Sequence, residues 1–378
     1  MRVLLTGGGT GGHIYPALAV ARRLKELDDK VTFLYVGTER GLESTLVPKE
    51  GLPFKSIQIE GFKRQLNVEG IKYNLKSVKL FLESIRESKQ IIRDFKPDIV
   101  LGTGGYVSAP ICYAAAKESI PTVVHEQNSF LGLTNKFLMR YIDRLAISFK
   151  EIYSQVEGYE EKVVFTGNPR AQEVTEHDLT MLDTIHGLDI KEPIVLIFGG
   201  SRGAEKINRA VVEAYPKLRL RDYQVLFVPG EIHYENIVEE LDKLSPINQN
   251  KNFVVKPYIH DMVDVLSQTS AIVSRSGATT IAEITVLGIP SILIPSPYVT
   301  DDHQTQNAMS LVKYDAALLL EEENLNGETL LSALDQLMEY PAKRAEMSER
   351  AKTLGEPHAT DKLIQVMMDE VKNKNESI

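Results

Sequence analysis

The chain has 378 residues, 43% of them hydrophobic, and a formal net charge of −9, a length that suits two cores because single domains run to roughly 100–200 residues. Its one cysteine, Cys112, excludes an intrachain disulfide and fits a reducing cytoplasm, and no Cys/His cluster has metal-ligand spacing. No apolar run approaches the roughly 20 residues that span a bilayer.

In chain order, Met1-Arg2-Val3-Leu4-Leu5-Thr6 turns to glycine too soon for a secretory signal, whose apolar region needs roughly 7–15 residues. It predicts a first strand. Val31 to Val36, Ile99 to Leu101, Thr122 to His125 and Arg144 to Ile147 follow as short β-branched runs between helical patterns. Beyond Gly167 come Ile194 to Phe198, Gln224 to Val228, Phe253 to Lys256, Ala271 to Ser274 and Ser291 to Ile294. Strands alternating with helices predict an α/β chain with two Rossmann-like, doubly wound parallel-sheet domains. Thr166-Gly167-Asn168-Pro169-Arg170 breaks both helix and strand, which places one domain at 1–166 and the other at 167–355. A helix over about 356–378 is expected to return to the first domain.

Charge divides at the same point: 23 basic against 19 acidic residues up to 166, and 20 against 33 beyond. The first half alone suits an anionic partner, with phospholipid head groups one candidate beside nucleic acid or no partner at all. Lys63, Arg64, Lys72, Lys76, Lys79, Arg86, Lys89 and Arg93 lie in segment 61–93 with only Glu69, Glu83 and Glu87. Ile71, Leu75, Val78, Leu82 and Ile85 recur there at helical spacing, a stripe expected to pack into the core. Phe81 and the lysines are the surface expected to face anionic lipid.

The first loop, Gly7-Gly8-Gly9-Thr10-Gly11-Gly12-His13, satisfies GxGxxG after a strand, as a dinucleotide site does. A phosphate-binding P-loop would need Lys and Ser/Thr where His13 and Ile14 stand. Backbone N–H groups at a helix start favour a diphosphate, and absent Cβ atoms let a ligand approach; the plain alternative is a tight turn. His13, at the head of that helix, is a candidate general base. Gly102-Thr103-Gly104-Gly105-Tyr106 and His125-Glu126-Gln127-Asn128 also follow strands, so three loops meet the sheet edge where ligands bind in such folds.

In the second half, Gly199-Gly200-Ser201-Arg202-Gly203-Ala204 is another anion cradle at a helix start. Ser274-Arg275-Ser276-Gly277 opens a helix carrying Glu283, a carboxylate able to accept from two ribose hydroxyls. Asp301-Asp302-His303-Gln304-Thr305-Gln306-Asn307 has the composition of a sugar site. No Asp-x-Asp triplet occurs, so a leaving diphosphate would rely on helix starts and Arg. No tightly bound cofactor or protein metal site is expected, and nothing in the pattern specifies a Mg2+ or Mn2+ ion.

Taken in order from residue 6 to residue 307, these motifs, with Ile14-Tyr15-Pro16-Ala17 and Gly167-Asn168-Pro169-Arg170, resemble the MurG-like members of glycosyltransferase family 28. The resemblance implies a GT-B fold with an interdomain cleft and inverting transfer of N-acetylglucosamine from UDP-N-acetylglucosamine. The acceptor it implies is the C4 hydroxyl of an undecaprenyl-linked muramoyl-pentapeptide, met at the cytoplasmic face of the membrane. By that similarity Thr10, Gly11, Gly12, Asn128, Arg170, Ser201, Ile259, Glu283 and Gln304 fall at donor positions. Tyr106 and Asn307 are further substrate candidates, His13 is the expected base or the base's immediate partner, and Glu126 is the rival base. His303 and Thr305 stand where a second glutamine and an aromatic would be expected. The rival functions are another GT-B transferase with a lipid acceptor, a UDP-sugar 2-epimerase, a nucleotide-sugar sensor without activity, and an NAD-dependent dehydrogenase. For the last, Glu39 stands farther from Gly12 than the usual ~20 residues. Nucleic acid is not an expected partner.

Overall fold

The computed structural model describes residues 1–61, 68–177, 184–200, 202–247 and 250–376. Ser201, Lys63 and Arg64 lie outside the described residues, as do the side chains of Ile71, Lys72, Leu75 and Lys76. The chain forms two compact units, Met1–Gln172 with His358–Ile378, and Glu173–Pro357.

Unit 1 contains β1 (Arg2–Thr6), α1 (Gly11–Leu27), β2 (Thr32–Gly37), α2 (Glu43–Lys49), β3 (Phe54–Ser56), α3 (Val68–Phe95) and β4 (Ile99–Gly102). It continues through α4 (Ser108–Lys117), β5 (Thr122–Glu126), α5 (Leu133–Leu138), β6 (Arg144–Ile147), β7 (Val163–Phe165) and the start of α6 (Arg170–Thr175). Its sheet has the order β3-β2-β1-β4-β5-β6-β7, with every pair parallel. Leu4, Leu5, Val100, Leu101, Val123 and Val124 are fully buried, as strands covered by helices on both faces must be.

Unit 2 opens with a small antiparallel pair, β8 (Thr184–Ile185) and β9 (Leu188–Asp189), followed by β10 (Ile194–Phe198), α7 (Glu205–Leu218), β11 (Gln224–Val228), α8 (Glu231–Leu244) and β12 (Phe253–Val255). Then come α9 (Met262–Ser267), β13 (Ala271–Ser274), α10 (Ala278–Leu287), β14 (Ser291–Leu293), α11 (His303–Val312), β15 (Leu318–Leu319), α12 (Gly327–Met338) and α13 (Pro341–Leu354). The parallel order is β12-β11-β10-β13-β14-β15. In both sheets the order reverses beside the first strand, between β1 and β4 and between β10 and β13, and such a reversal leaves a crevice at the strands' carboxyl ends.

The last helix, α14 (Ala359–Glu376), packs on α1 in unit 1. Asp361 meets Arg23 through a two-pronged pair (2.8 and 3.0 Å), a geometry that holds its carboxyl below the usual carboxylate range. Thr360 Oγ1 donates to the Pro169 carbonyl at 3.0 Å, and Asp361 N donates to Gln172 at 2.9 Å.

On α3 the inward face differs from the expectation. Val78 and Leu82 are exposed, Leu82 by 62%, while Ser77, Ser84 and Ser88 are fully buried. Ser84 Oγ and Ser88 Oγ donate to carbonyls of their own helix, Phe81 O at 2.7 Å and Ser84 O at 2.6 Å. Their hydroxyls therefore need no outside partner, and small side chains let α3 lie close along α4. Phe81, expected at the surface, stands edge-on to Phe137 with ring centroids 5.9 Å apart.

Candidate active site

The turn after β1 is held from several sides. Gly8 N donates to Gly104 O at 3.2 Å, and Thr103 N donates to Thr6 O at 2.8 Å. The β1 and β4 loops therefore continue the sheet's pairing one step past its edge. Gly105, at φ +79°, lies against the Gly8 backbone, where a Cβ would fall closer than 3.0 Å. Helix α1 begins at Gly11 with Thr10 as N-cap and no side-chain cap bond. The N–H groups of Gly11 and Gly12 thus carry the helix's positive end, while His13 N donates to Thr10 O at 3.1 Å.

His13, half-buried, has Nδ1 3.0 Å from the Gly8 carbonyl and 3.4 Å from Thr10 Oγ1. A carbonyl can only accept, so Nδ1 carries the proton and Nε2 of the neutral ring holds a lone pair. The ring is backed by Gly104 (φ +104°), where a Cβ would stand 3.1 Å from Nε2 and 3.4 Å from Gln127 Oε1. Thr103 Oγ1 donates to the His13 carbonyl at 2.6 Å. Tyr106, 40% exposed, follows this turn.

The loop after β5 turns inward. Glu126 is 3% exposed. Its Oε1 accepts from Asn128 N at 3.1 Å, and its Oε2 accepts from Gly132 N at 3.1 Å and from Asn135 Nδ2 at 2.7 Å. The carboxylate braces the loop that presents Asn128, and it points into that loop. His125 is fully buried, and burial pushes its pKa down to about 4. The neutral ring donates from Nε2 to the Gly167 carbonyl (2.9 Å) and accepts at Nδ1 from Gln127 Nε2 (3.0 Å). This ties β5 to the segment leading to Arg170, whose backbone N–H is held by Asn168 Oδ1 at 3.1 Å.

In unit 2 the turn after β10 has Gly200 at φ +92° and Gly203 at φ +73°. A Cβ on Gly203 would collide with the Pro229 carbonyl, whereas nothing lies within 4 Å of one on Gly200. Helix α7 starts with Ala204 as N-cap and, like α1, no side-chain cap bond. A cavity of about 690 Å3 lies here, lined by Gly199, Gly203, Lys206, Arg209, Arg275 and Gln304 among others. Arg275 pairs with Glu322 and donates to the carbonyls of Ile294 (3.1 Å) and Pro295 (3.0 Å), joining the ends of β13 and β14.

Gln304 is held at both ends: its Oε1 accepts from Ser296 N at 2.8 Å, and its carbonyl accepts from Ser276 Oγ at 2.7 Å. Asp301 and Asp302 before it have φ +55° and +50°, a left-handed backbone that non-glycine residues rarely take. Asn307 is fully buried and donates to Ser276 O at 3.2 Å, so its amide supports the loop. Ile259 is 3% exposed, and Glu283, sixth residue of α10, is 6% exposed; neither lines the 690 Å3 cavity.

The structure therefore gathers His13, Thr10, Gly11 and Gly12 on one turn of unit 1, and Gln304 with the second glycine turn in unit 2. Sequence reasoning missed Glu43, Thr103 and the Arg275–Glu322 pair. Thr103 stood inside a motif already noticed; Glu43 gave no local signal, being 34 residues from the glycine N–H it accepts.

Two doubly wound units, each with a glycine turn and an uncapped helix start at its switch point, are the framework of a GT-B nucleotide-sugar glycosyltransferase. The chain belongs to glycosyltransferase family 28: residues 3–147 match the family's N-terminal domain and residues 194–363 its C-terminal domain. A relative from Latilactobacillus sakei subsp. sakei (strain 23K) is 54% identical over 364 residues, 96% of this chain and 99% of its own. One from Bacillus subtilis (strain 168) is 52% identical over 367 residues, covering 97% and 99%. Both are named UDP-N-acetylglucosamine-N-acetylmuramyl-(pentapeptide) pyrophosphoryl-undecaprenol N-acetylglucosamine transferase. The crystal structure of Acinetobacter baumannii MurG is also similar, with a TM-score of 0.75 at 26% identity over 97% of this chain and 99% of that one.

Proposed function

We propose that this chain transfers N-acetylglucosamine from UDP-N-acetylglucosamine to the C4 hydroxyl of undecaprenyl-diphosphate-N-acetylmuramoyl-pentapeptide, with inversion at the anomeric carbon. Near-complete coverage by relatives of that activity at 54% and 52% identity carries the reading. The site chemistry agrees with it. Inversion needs one in-line displacement, in which a base takes the acceptor proton while charge grows on departing UDP.

His13 is the base: its Nδ1–H is committed to the Gly8 carbonyl, leaving Nε2 to accept the proton. Glu126 is the weaker candidate because both of its oxygens already accept N–H donors. Unit 2 holds the donor through Ser201, Ile259, Glu283 and Gln304, with Glu283 on the ribose hydroxyls and Gln304 on the sugar. Ile259, being buried, contributes backbone atoms. Thr10, Gly11, Gly12, Asn128 and Arg170 are donor contacts from unit 1, and Tyr106 is a substrate contact there. Growing diphosphate charge is offset by Arg170 and by the helix starts of α1 and α7.

No described helix is long and apolar enough to cross a membrane. The acceptor's lipid is reached by peripheral docking on the cytoplasmic face. Exposed Val78 and Leu82 of α3 and exposed Leu133 and Phe137 of α5 are the apolar contact, bridged by the Phe81–Phe137 ring pair. Lys79, Arg86, Lys136 and Arg140 supply charge for anionic head groups.

The test is UDP release from UDP-N-acetylglucosamine with and without a short-chain acceptor analogue. Acceptor-dependent release with a new disaccharide is expected. Release without acceptor, accompanied by an epimerised sugar, would replace this reading with a 2-epimerase.

A further inference from the structure

One peptide group stands between a buried carboxylate and the proposed base. The N–H of Gly9 donates to Glu43 Oε2 at 3.0 Å, and the carbonyl of Gly8, across the same peptide bond, accepts from His13 Nδ1 at 3.0 Å. Hydrogen bonds in series polarise one another, so an anion drawing on the N–H makes the carbonyl a stronger acceptor.

Glu43, the first residue of α2, is fully buried. It also accepts from Thr38 N (2.9 Å) and Thr38 Oγ1 (2.7 Å), and among the described residues no Lys or Arg pairs with it. Its seat is made of glycine: a Cβ on Gly8, Gly37 or Gly41 would fall closer than 3.0 Å to a Glu43 side-chain atom. Gly8 is thus required by the carboxylate. Burying a carboxylate without a cation is costly, and three glycines plus Thr38 are arranged to permit it.

We propose that Glu43 acts through the Gly8–Gly9 peptide as a positioning residue for His13, fixing the Nδ1–H tautomer and stabilising the ring once Nε2 has taken the acceptor proton. In the transfer, the C4 oxygen bonds to the anomeric carbon, the bond to UDP breaks with its electron pair, and the hydroxyl proton passes to Nε2. Glu43 and the peptide neither gain nor lose a proton. The catalytic part rests on His13 being the base; the tautomer does not.

Other groups face this pair from β2, β4 and β5. Tyr35 donates to Gly7 O at 2.9 Å, and burial pushes its phenol well above the ordinary range. Thr103 holds the His13 carbonyl, Gln127 Oε1 lies beside Gly104 with His13 Nε2, and His125 behind it is neutral. Among these contacts the Glu43 carboxylate is the charged group, and it reaches the ring through the Gly8–Gly9 peptide.

Nitrogen-15 NMR of histidine-labelled protein, with His13 assigned through His13→Gln, reads the tautomer directly. Wild type is expected to show Nδ1–H at alkaline pH. In Glu43→Gln the tautomers mix, kcat falls about ten- to hundredfold, the acid limb of the kcat/KM profile moves to lower pH, and KM for UDP-N-acetylglucosamine stays within about twofold. Glu43→Asp, which keeps the charge, recovers part of the loss. An Nε2–H tautomer in wild type overturns the proposal even where Glu43→Gln does not fold. So does a folded Glu43→Gln with tautomer and pH profile unchanged. Mixed tautomers with normal turnover would support the positioning and remove His13 as base instead.

Discussion

Gly9 and Gly200 hold matching places in their units. Each sits in the turn after the central strand, at φ +86° and +92°, and at each nothing lies within 4 Å of where a Cβ would be. A ligand can come close to the backbone at both. What stands behind the turns differs. Behind Gly9 is the Glu43 carboxylate, whereas the second turn opens on a cavity where Lys206, Arg209 and Arg275 stand among Glu205, Glu213 and Glu322. The same strand–turn–helix unit therefore recurs in different surroundings, with a buried carboxylate behind the first turn and a cavity of mixed charge beside the second.

The comparison can be sharpened by substitution. Gly203→Ala combines a left-handed backbone with a collision at Pro229 O and should cost about 3 kcal/mol or more in urea unfolding. Gly200→Ala should cost only about 1 kcal/mol, yet weaken UDP binding in calorimetry. Equal stability losses would mean that the two glycines do not differ as the geometry says.

Acid should loosen unit 1 specifically. His125 titrates near 6.5 when unfolded and near 4 when folded, so the unfolded chain takes up the proton first. The stability it contributes is complete above about pH 6.5 and is lost as pH falls toward 4, about 3 kcal/mol in all. Chemical denaturation across that range should show the decline, and His125→Gln should flatten it.

Gln304→Ala should raise KM for UDP-N-acetylglucosamine about tenfold while UDP alone binds as before, because one hydrogen bond to the sugar is worth about 1.4 kcal/mol. Product inhibition by UDP measures the second quantity. Leu82→Ser, on the exposed side of α3, should change stability by less than about 0.5 kcal/mol and reduce binding to anionic vesicles. Ser84→Leu, two residues on, should cost about 1–3 kcal/mol by overpacking.

Much of this arrangement was legible in the residues themselves. Buried strands such as Ile194–Phe198 and Ala271–Ser274 are short apolar, β-branched runs with a glycine one to three residues beyond, so local pattern and tertiary role agree. The edge strands β3 and β15 gave no separate signal, whereas the short edge strand β12 was legible because its residues, Phe-Val-Val, are all β-formers; β7, Val-Val-Phe, is alike in composition and was missed. On α3 hydrophobic spacing misled, because close helix packing selected serine inside while leucine stayed out. Glu43 was invisible because glutamate is ordinarily a surface residue, and what makes it otherwise is the approach of Gly8, distant in sequence, to the nearby Gly37 and Gly41.

Comparing His13→Ala with Glu283→Ala separates chemistry at the first turn from donor binding in unit 2. Donor Kd and kcat should be measured for both with a soluble acceptor analogue. His13→Ala should lose kcat by about 10²–10⁴-fold with donor Kd nearly unchanged, and Glu283→Ala should weaken donor Kd about ten- to hundredfold. Near-normal kcat in His13→Ala, or donor affinity that survives Glu283→Ala but collapses in His13→Ala, would contradict that separation.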